Sequence, residues 1–298
     1  SNSEILKVIS NQQTKCLVGP TPAYLESLEN IGFGDIDDNR MPEDSDSMLD
    51  FVNYGIKVFN HMLNMDEDSF SISDSTKEEI LKSVSANYKM YALDKRYLRH
   101  TDKIFHRIFL KKDFKPVKLR PYPLNNRDKL DLESQIKELL DIEIIKRTTS
   151  SEWCSPVLLV DKVDSISKRM VLDARGLNEM TVSETFFNPT INEIMGSLHG
   201  ANVFSCLDLA NSYWQLPIHP SETHLTSFAT HIGHFEFLYA PFGLKNSSVT
   251  LGRLLTNLLS NFIGKWLFIY QDDILCYSQN ELDHKNNLLT LFEILNAA

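Results

Sequence analysis

Near the C-terminal end of this chain two apolar runs, WLFIY (Trp266–Tyr270) and the ILCYS of DILCYS (Ile274–Ser278), stand only three polar residues apart. Runs rich in β-branched and aromatic residues, joined by so short a connection, leave the backbone little choice but a β-hairpin with Gln271–Asp272 as its turn. Asp272 and Asp273 then sit at the tip, at the mouth of a packed sheet. An Asp pair in a turn is ordinarily turn chemistry, because Asp bonds its own backbone there. Two carboxylates between apolar strands also suit hard divalent cations, which take oxygen ligands and keep positions open for phosphate. A pair of such ions, roughly 3.5–4 Å apart, stabilises both the attacking and the leaving oxygen of an in-line displacement. That arrangement needs one more carboxylate from another strand. Asp208 is the candidate: it ends the apolar run VFSCLD and precedes LANSYW. Asp is also a common helix N-cap, and spacing alone does not separate the two roles.

The rest of the chain frames this hairpin. It has 298 residues, 42% hydrophobic and 23% charged, an ordinary globular balance with enough length for a sizeable core. No apolar run spans a bilayer, and SNSEILKVIS has neither the basic cluster nor the apolar stretch of a signal peptide. The four cysteines, Cys16, Cys154, Cys206 and Cys276, match no zinc spacing, so a reducing compartment, cytoplasmic or nuclear, is expected. The formal net charge is −10, and it is unevenly placed. Residues 1–74 hold 4 basic and 14 acidic residues, and the remainder is balanced. Within the remainder, residues 95–129 carry 12 basic residues against 3 acidic ones, interleaved with Tyr97, Phe105, Phe109, Phe114 and Tyr122. Such a stripe either is a solvated surface or follows a phosphate backbone.

Residues 1–74 read as a separate acidic segment of short helices around the loop GDIDDNRMPEDSDS. From residue 75, STKEEILKSVSANYKMYAL begins with a cap candidate and reads as a helix. Asn125–Asn126 can cap a second helix with Leu130, Leu132, Ile136, Leu139 and Leu140 at helical spacing. Strands are expected at Pro156–Val160, Arg169–Asp173, Val203–Asp208, Thr226–Thr230 and Phe235–Tyr239, and helices at 246–260 and over HKNNLLTLFEIL. The order is α+β with antiparallel strands rather than a βαβ array.

Several ordered blocks now carry a resemblance. FSCLDLANSYWQLPIHPSETHLTSFAT, FEFLYAPFGLKNSS and FIYQDDILCYS, preceded by KPVKLRPYPL, IIKRTTSSEWCSPVLLVDK and RMVLDARGLNEMT, resemble the conserved blocks of reverse transcriptases from gypsy-type LTR retrotransposons. The resemblance runs from about residue 75 to the end. It implies a right-hand polymerase fold: acidic segment 1–74, helix and basic linker 75–116, fingers 117–182 and 216–246, palm 183–215 and 247–298. The family's thumb, connection and RNase H find no counterpart in these residues.

The resemblance also implies roles. Asp208, Asp272 and Asp273 match the catalytic metal ligands, with the Leu209 carbonyl completing one shell and Mg2+ (or Mn2+) as the cofactor. Lys162 and Arg169 match cations that clamp a nucleoside triphosphate. Tyr213 matches the gate that crowds a ribose 2′-hydroxyl, and Phe242 and Gly243 the floor of the nucleotide pocket. Asp173, Arg175 and Asn178 match positions near the template strand. The implied activity is RNA-directed DNA polymerisation on an RNA or DNA template with primer and dNTP. The alternative is a domesticated module, weak or inactive in catalysis, used for protein or RNA binding. No membrane role is expected, and the acidic segment is a candidate protein contact. Three departures stand out: Gln271 where Val or Met is usual, Lys168 where the family has Trp, and FGLKNSSVTLGR where it has FGLKNAPATFQR.

Overall fold

A computed structural model describes residues 15–18, isolated positions between 73 and 95, and residues 98–149, 151–161 and 168–298. In chain order the elements are β1 (Lys15–Val18), α1 (Asn126–Asp141), β2 (Ile145–Arg147), β3 (Val157–Asp161), β4 (Lys168–Leu172), α2 (Arg175–Met180) and α3 (Ile191–Ser197). There follow β5 (Val203–Asp208), β6 (Phe228–Thr230), β7 (Gly233–Phe237), α4 (Ser247–Leu259), β8 (Leu267–Tyr270), β9 (Asp273–Ser278) and α5 (Glu281–Asn296). Single 3₁₀ turns lie at Ser212–Gln215 and Thr223–Thr226. Two compact units result: Ser1–Arg99 with Phe187–Ala210 and Leu255–Ala298, and His100–Phe186 with Asn211–Leu254. Among the described residues no helix is long and apolar enough to cross a membrane.

The first unit is organised by a four-stranded sheet of order β1-β5-β9-β8. β8 and β9 are the expected hairpin, with Tyr270 opposite Asp273 and a two-residue loop between them. β9 is buried along its whole length, which requires cover on both faces. The register explains how. Directly opposite residues of an antiparallel pair point to the same face. Phe204 faces Tyr277, and Cys206, Leu275 and Phe268 line up beside them. On that face Phe204, Phe268, Leu275 and Tyr277 pack with Ile194 and Leu198, from α3 and its C-cap, into one core cluster. A capping box starts α3: the Thr190 hydroxyl accepts from the Glu193 amide, and Glu193 accepts from the Thr190 amide.

The opposite face carries Ser205, Cys276 and Ser278, and there α5 supplies His284. Its Nε2 lies 2.7 Å from Ser205 Oγ and its Nδ1 3.2 Å from Ser278 Oγ. Asn287 Nδ2 donates to the same Ser278 oxygen at 3.1 Å. A neutral imidazole satisfies this network, donating from one ring nitrogen and accepting at the other.

Two features of this unit were not expected. The short helices expected in the acidic segment fall on residues outside the described ones, and its residues Lys15–Val18, for which no strand was expected, form an edge strand parallel to β5, with Lys15 opposite Val203 and Val18 opposite Cys206. The edge of β5 offers backbone donors and acceptors that need partners, and a short apolar run meets them. The other residues of 1–72 lie outside the described ones. Helix α3 was not expected at all.

The second unit holds a three-stranded sheet, β2-β7-β6, and the hairpin β3-β4. Phe228, Phe235 and Phe237 form its aromatic centre, with ring centroids 5.5 and 5.3 Å from Phe228. Asn125 caps α1 as expected, accepting from the Asp128 amide. Leu132, Ile136 and Leu139 are buried, but Leu130, expected on the same apolar face, is exposed. From α1, Gln135 accepts from the Met170 amide and donates to the Lys168 carbonyl, so its side chain completes backbone bonds of β4. Lys168, where the family has Trp, pairs with Asp128 of α1 at 2.6 Å. The expected strands lie within a few residues of the observed ones. β2 was missed, and Thr226, expected to begin a strand, ends a 3₁₀ turn instead.

Gly252 departs from the family's glutamine and carries the usual helix-interior cost of about 1 kcal/mol against alanine. The fold uses the gap. A Cβ on Gly252 would stand 2.5 Å from Cε1 and 2.8 Å from Cδ1 of Phe186. Gly252→Ala is therefore expected to destabilise the protein by about 1–3 kcal/mol, despite alanine's better helix propensity, as measured by denaturant unfolding.

Burial holds His284, and likewise His106 of the second unit, down at about 4. A lowered histidine pKa adds stability above the unfolded value of 6.5, and that stability is lost as pH falls toward 4. Moving from pH 7.5 to 5 should cost about 2 kcal/mol for each histidine. His284→Gln should remove one share of that slope in urea titrations of the two pH values.

Candidate active site

The same register that builds the core of the first unit positions its carboxylates. Continuing along the face that holds Phe204, Cys206, Leu275 and Tyr277, the next opposed pair is Asp208 and Asp273. Asp208 ends β5 and Asp273 begins β9, so the two are direct cross-strand neighbours on one face. Asp272 is the second residue of the turn, and its carbonyl accepts from the Leu209 amide at 3.3 Å. That bond ties the residue after Asp208 to the hairpin tip. Gln271, the first turn residue, sits at φ 60°, a left-handed conformation uncommon for a residue with a side chain. Asp208 does not cap a helix: the residue before the 3₁₀ turn Ser212–Gln215 is Asn211, which makes no side-chain cap bond.

The electrostatics follow from this crowding. The Asp208 carboxyl is raised above the ordinary carboxylate range, first by burial and then by the negative charge of Asp272. Asp273 is itself buried. Such a set of hard oxygen donors fits a divalent cation, which relieves the repulsion and replaces lost hydration. The side chains as they stand do not close on one point: among the described residues no three His, Cys, Asp or Glu side chains lie close enough to hold a metal ion. Backbone register sets Asp208 opposite Asp273, with Asp272 adjacent in the turn, while the side chains do not converge.

The residues implied for nucleotide and template fall in the second unit. Arg169 lies over the Phe242 ring, its Cζ 5.4 Å from the centroid. Tyr213 meets the same ring edge-on at 5.5 Å, and Trp214, absent from the sequence reading, does so at 5.8 Å. Phe242 thus gathers Arg169, Tyr213 and Trp214 around one ring. Gly243 has φ +84°, a backbone state that a side chain would strain. Lys162 lies outside the described residues.

Asp173, Arg175 and Asn178 bond to other groups of the protein, although the Arg175 side chain is 81% exposed. Asp173 is buried, takes two bonds from the Arg175 guanidinium, one from the Arg175 amide and one from the Tyr122 hydroxyl, and is held well below the carboxylate range, chiefly by the Arg175 side chain. Asn178 donates to the Gly243 carbonyl at 2.7 Å and accepts from the Lys245 amide at 2.8 Å. Lys245 Nζ returns to the carbonyls of Asn178 and Thr181. Asn246, at φ 66°, clasps Val182 and Glu184. Sequence reasoning passed over Lys245 and Asn246, although both stand within the quoted block FGLKN. Asn178 thus bonds the 243–245 loop.

Replacing Asp272 with asparagine removes the charge but not the burial. Asp272→Asn should lower the Asp208 pKa toward, but not to, the ordinary value, as read from the side-chain carboxyl in a carbon-13 NMR titration without metal.

Residues 160–298 match the family described as reverse transcriptase (RNA-dependent DNA polymerase). The chain is 32% identical over 235 residues to the retrovirus-related Pol polyprotein from transposon gypsy of Drosophila melanogaster, covering 77% of this chain and 22% of that protein. It is 37% identical over 186 residues to the corresponding polyprotein from transposon opus, also of Drosophila melanogaster, covering 61% of this chain and 18% of that one. The chain therefore spans about a fifth of the length of these two relatives. Among solved structures, the foamy viral protease-reverse transcriptase in complex with RNA/DNA hybrid is similar with a TM-score of 0.67 at 23% identity, over 83% of this chain and 31% of that one. The cross-strand aspartates at a hairpin tip thus lie in residues 160–298, which match the reverse transcriptase family, of the kind carried by LTR-retrotransposon polyproteins.

Proposed function

We propose that this chain is the fingers-and-palm part of an RNA-directed DNA polymerase. The observation that carries the reading is the register of Asp208 with Asp273 at the tip that also bears Asp272. In this reading the first unit is the palm and the second the fingers. Asp208, Asp272, Asp273 and the Leu209 carbonyl would hold magnesium or manganese ions. Those ions, when bound, supply Lewis-acid activation of a primer 3′-hydroxyl and neutralise the leaving pyrophosphate. The remaining tasks belong to the protein. Arg169, held over Phe242, neutralises triphosphate charge without surrendering its orientation. Tyr213, packed edge-on against the same ring, presents a fixed obstacle to a ribose 2′-hydroxyl and so selects deoxynucleotides. Gly243 permits close approach of its peptide to the substrate, and Asn178 and Lys245 keep that peptide in place. The foamy viral relative's complex with an RNA/DNA hybrid supports a primer–template as the macromolecular substrate.

A radiolabelled primer on RNA and DNA templates, with magnesium or manganese, tests this. The 298-residue chain alone is expected to add one or a few nucleotides at low salt. Extension should fall steeply at moderate salt, because phosphate contacts dominate nucleic-acid affinity. Asp272→Asn and Asp208→Asn should reduce extension to background, and Tyr213→Ala should admit ribonucleotides. An Asp272→Asn protein that extends primers like the unaltered chain would sink the assignment.

A further inference from the structure

In the second unit the segment after His100 alternates its side chains. His106 and Ile108 are buried, while Phe105, Arg107 and Phe109 face outward. Phe105 and Phe109 are 47% and 48% exposed, an unusual state for two phenylalanines so close together. The segment is not loose. His106 N–H donates to the Pro217 carbonyl at 2.7 Å, His219 N–H to the His106 carbonyl, Val182 N–H to the Phe109 carbonyl at 2.7 Å, and Lys111 N–H to the Met180 carbonyl. The backbone therefore fixes an outward ladder of Phe, Arg and Phe in steps of about 7 Å. Glu222 holds Arg107 at 2.7 Å and also accepts from the Ile108 amide, and the guanidinium lies 5.2 Å from the Phe109 centroid. That acid is consumed in orienting the ladder.

The ladder runs straight into cations. Lys111, Lys112, Lys115, Lys118 and Arg120 are exposed, and Phe114, 43% exposed, stands among them. Among the described residues no carboxylate pairs with Lys111, Lys112, Lys115 or Arg120, whereas Asp102 is taken by Lys103. Protein–protein interfaces are depleted in lysine. Exposed rings fixed beside unpaired lysines are what a single polynucleotide strand recognises, bases on the rings and phosphates on the cations.

We propose that the face formed by Phe105, Arg107, Phe109 and the Lys111–Arg120 cations docks a single-stranded polynucleotide. Phe105 and Phe109 stack bases, and Lys111, Lys112 and Lys115 hold phosphates. The polymerase reading enters only in naming a template strand as the source, since the chemistry itself is that of any single strand.

The test is fluorescence anisotropy of the full chain with labelled uridine and thymidine oligomers of about twenty nucleotides, across a salt series. Phe105→Ala with Phe109→Ala should weaken binding about tenfold or more with little change in salt slope. Lys111→Glu with Lys112→Glu, at exposed positions, should leave the melting temperature unchanged. It should reduce the slope of log affinity against log salt by about one to one and a half. Tighter uridine binding would assign an RNA strand, and equal binding a strand read without its sugar; either supports the surface. Duplex DNA should compete poorly. Asp272→Asn should bind as the unaltered chain does, so loss of synthesis and loss of docking are read separately. Unchanged affinity and slope in the lysine pair would overturn the proposal, whatever the phenylalanine pair does, and would return the face to a solvated or protein-contacting surface.

Discussion

The antiparallel pairing of β5 with β9 is the constraint on which the first unit depends. One register assigns every side chain of both strands to a face. It sends Phe204, Leu275 and Tyr277 toward α3, and Ser205 and Ser278 toward His284. It also sets Asp208 against Asp273 where the apolar face ends. A slip by one residue would turn the core outward and part the aspartates together. The apolar packing and the acidic tip are thus specified by a single alignment, and the core resists the repulsion that the carboxylates generate.

Much of this was legible because it is local. The hairpin needs only two apolar runs and a two-residue gap. Asn125 announces α1 by its place ahead of an apolar periodicity. The box Thr190–Glu193 was equally readable as a helix start and was overlooked within a stretch that lacked strong periodicity. Other features had no local signal. Asn178 bonds residues 65 and 67 positions away, so nothing nearby reveals that its amide is spent on the 243–245 loop. Gly252 reads as a defect until Phe186 is seen against it. Lys168 reads as a lost tryptophan until Asp128 is found beside it. The pairing of Asp208 with Asp273 beside Asp272 was legible as residues and as register, but the orientation of their side chains, which do not converge, had no local signal.

The second unit manages its polar groups differently from the first. There a buried histidine network fastens helix to sheet; here side-chain amides substitute for backbone partners. Gln135 completes β4, Asn178 fastens the Gly243 loop, and Asn246 holds the chain at Val182 and Glu184. Amides carry donor and acceptor together, so each can bridge two backbone groups of an irregular segment without introducing charge. That is a fitting way to hold a loop whose glycine sits at φ +84°.

The parallel strand β1 has a consequence for how the molecule assembles. It pairs with residues about 190 positions further along the chain. Contacts of such separation form slowly, because a long loop must be closed before they return any stabilisation. During synthesis Lys15–Val18 emerges long before Val203–Cys206 exists to receive it. The other neighbours of β5, α3 and β9, lie within about 75 residues and can assemble first. β1 is then the last strand to arrive and the first to detach. Amide exchange should accordingly be faster along it than along β9, leaving the edge of β5 a seam at which the order of folding is written into the finished sheet.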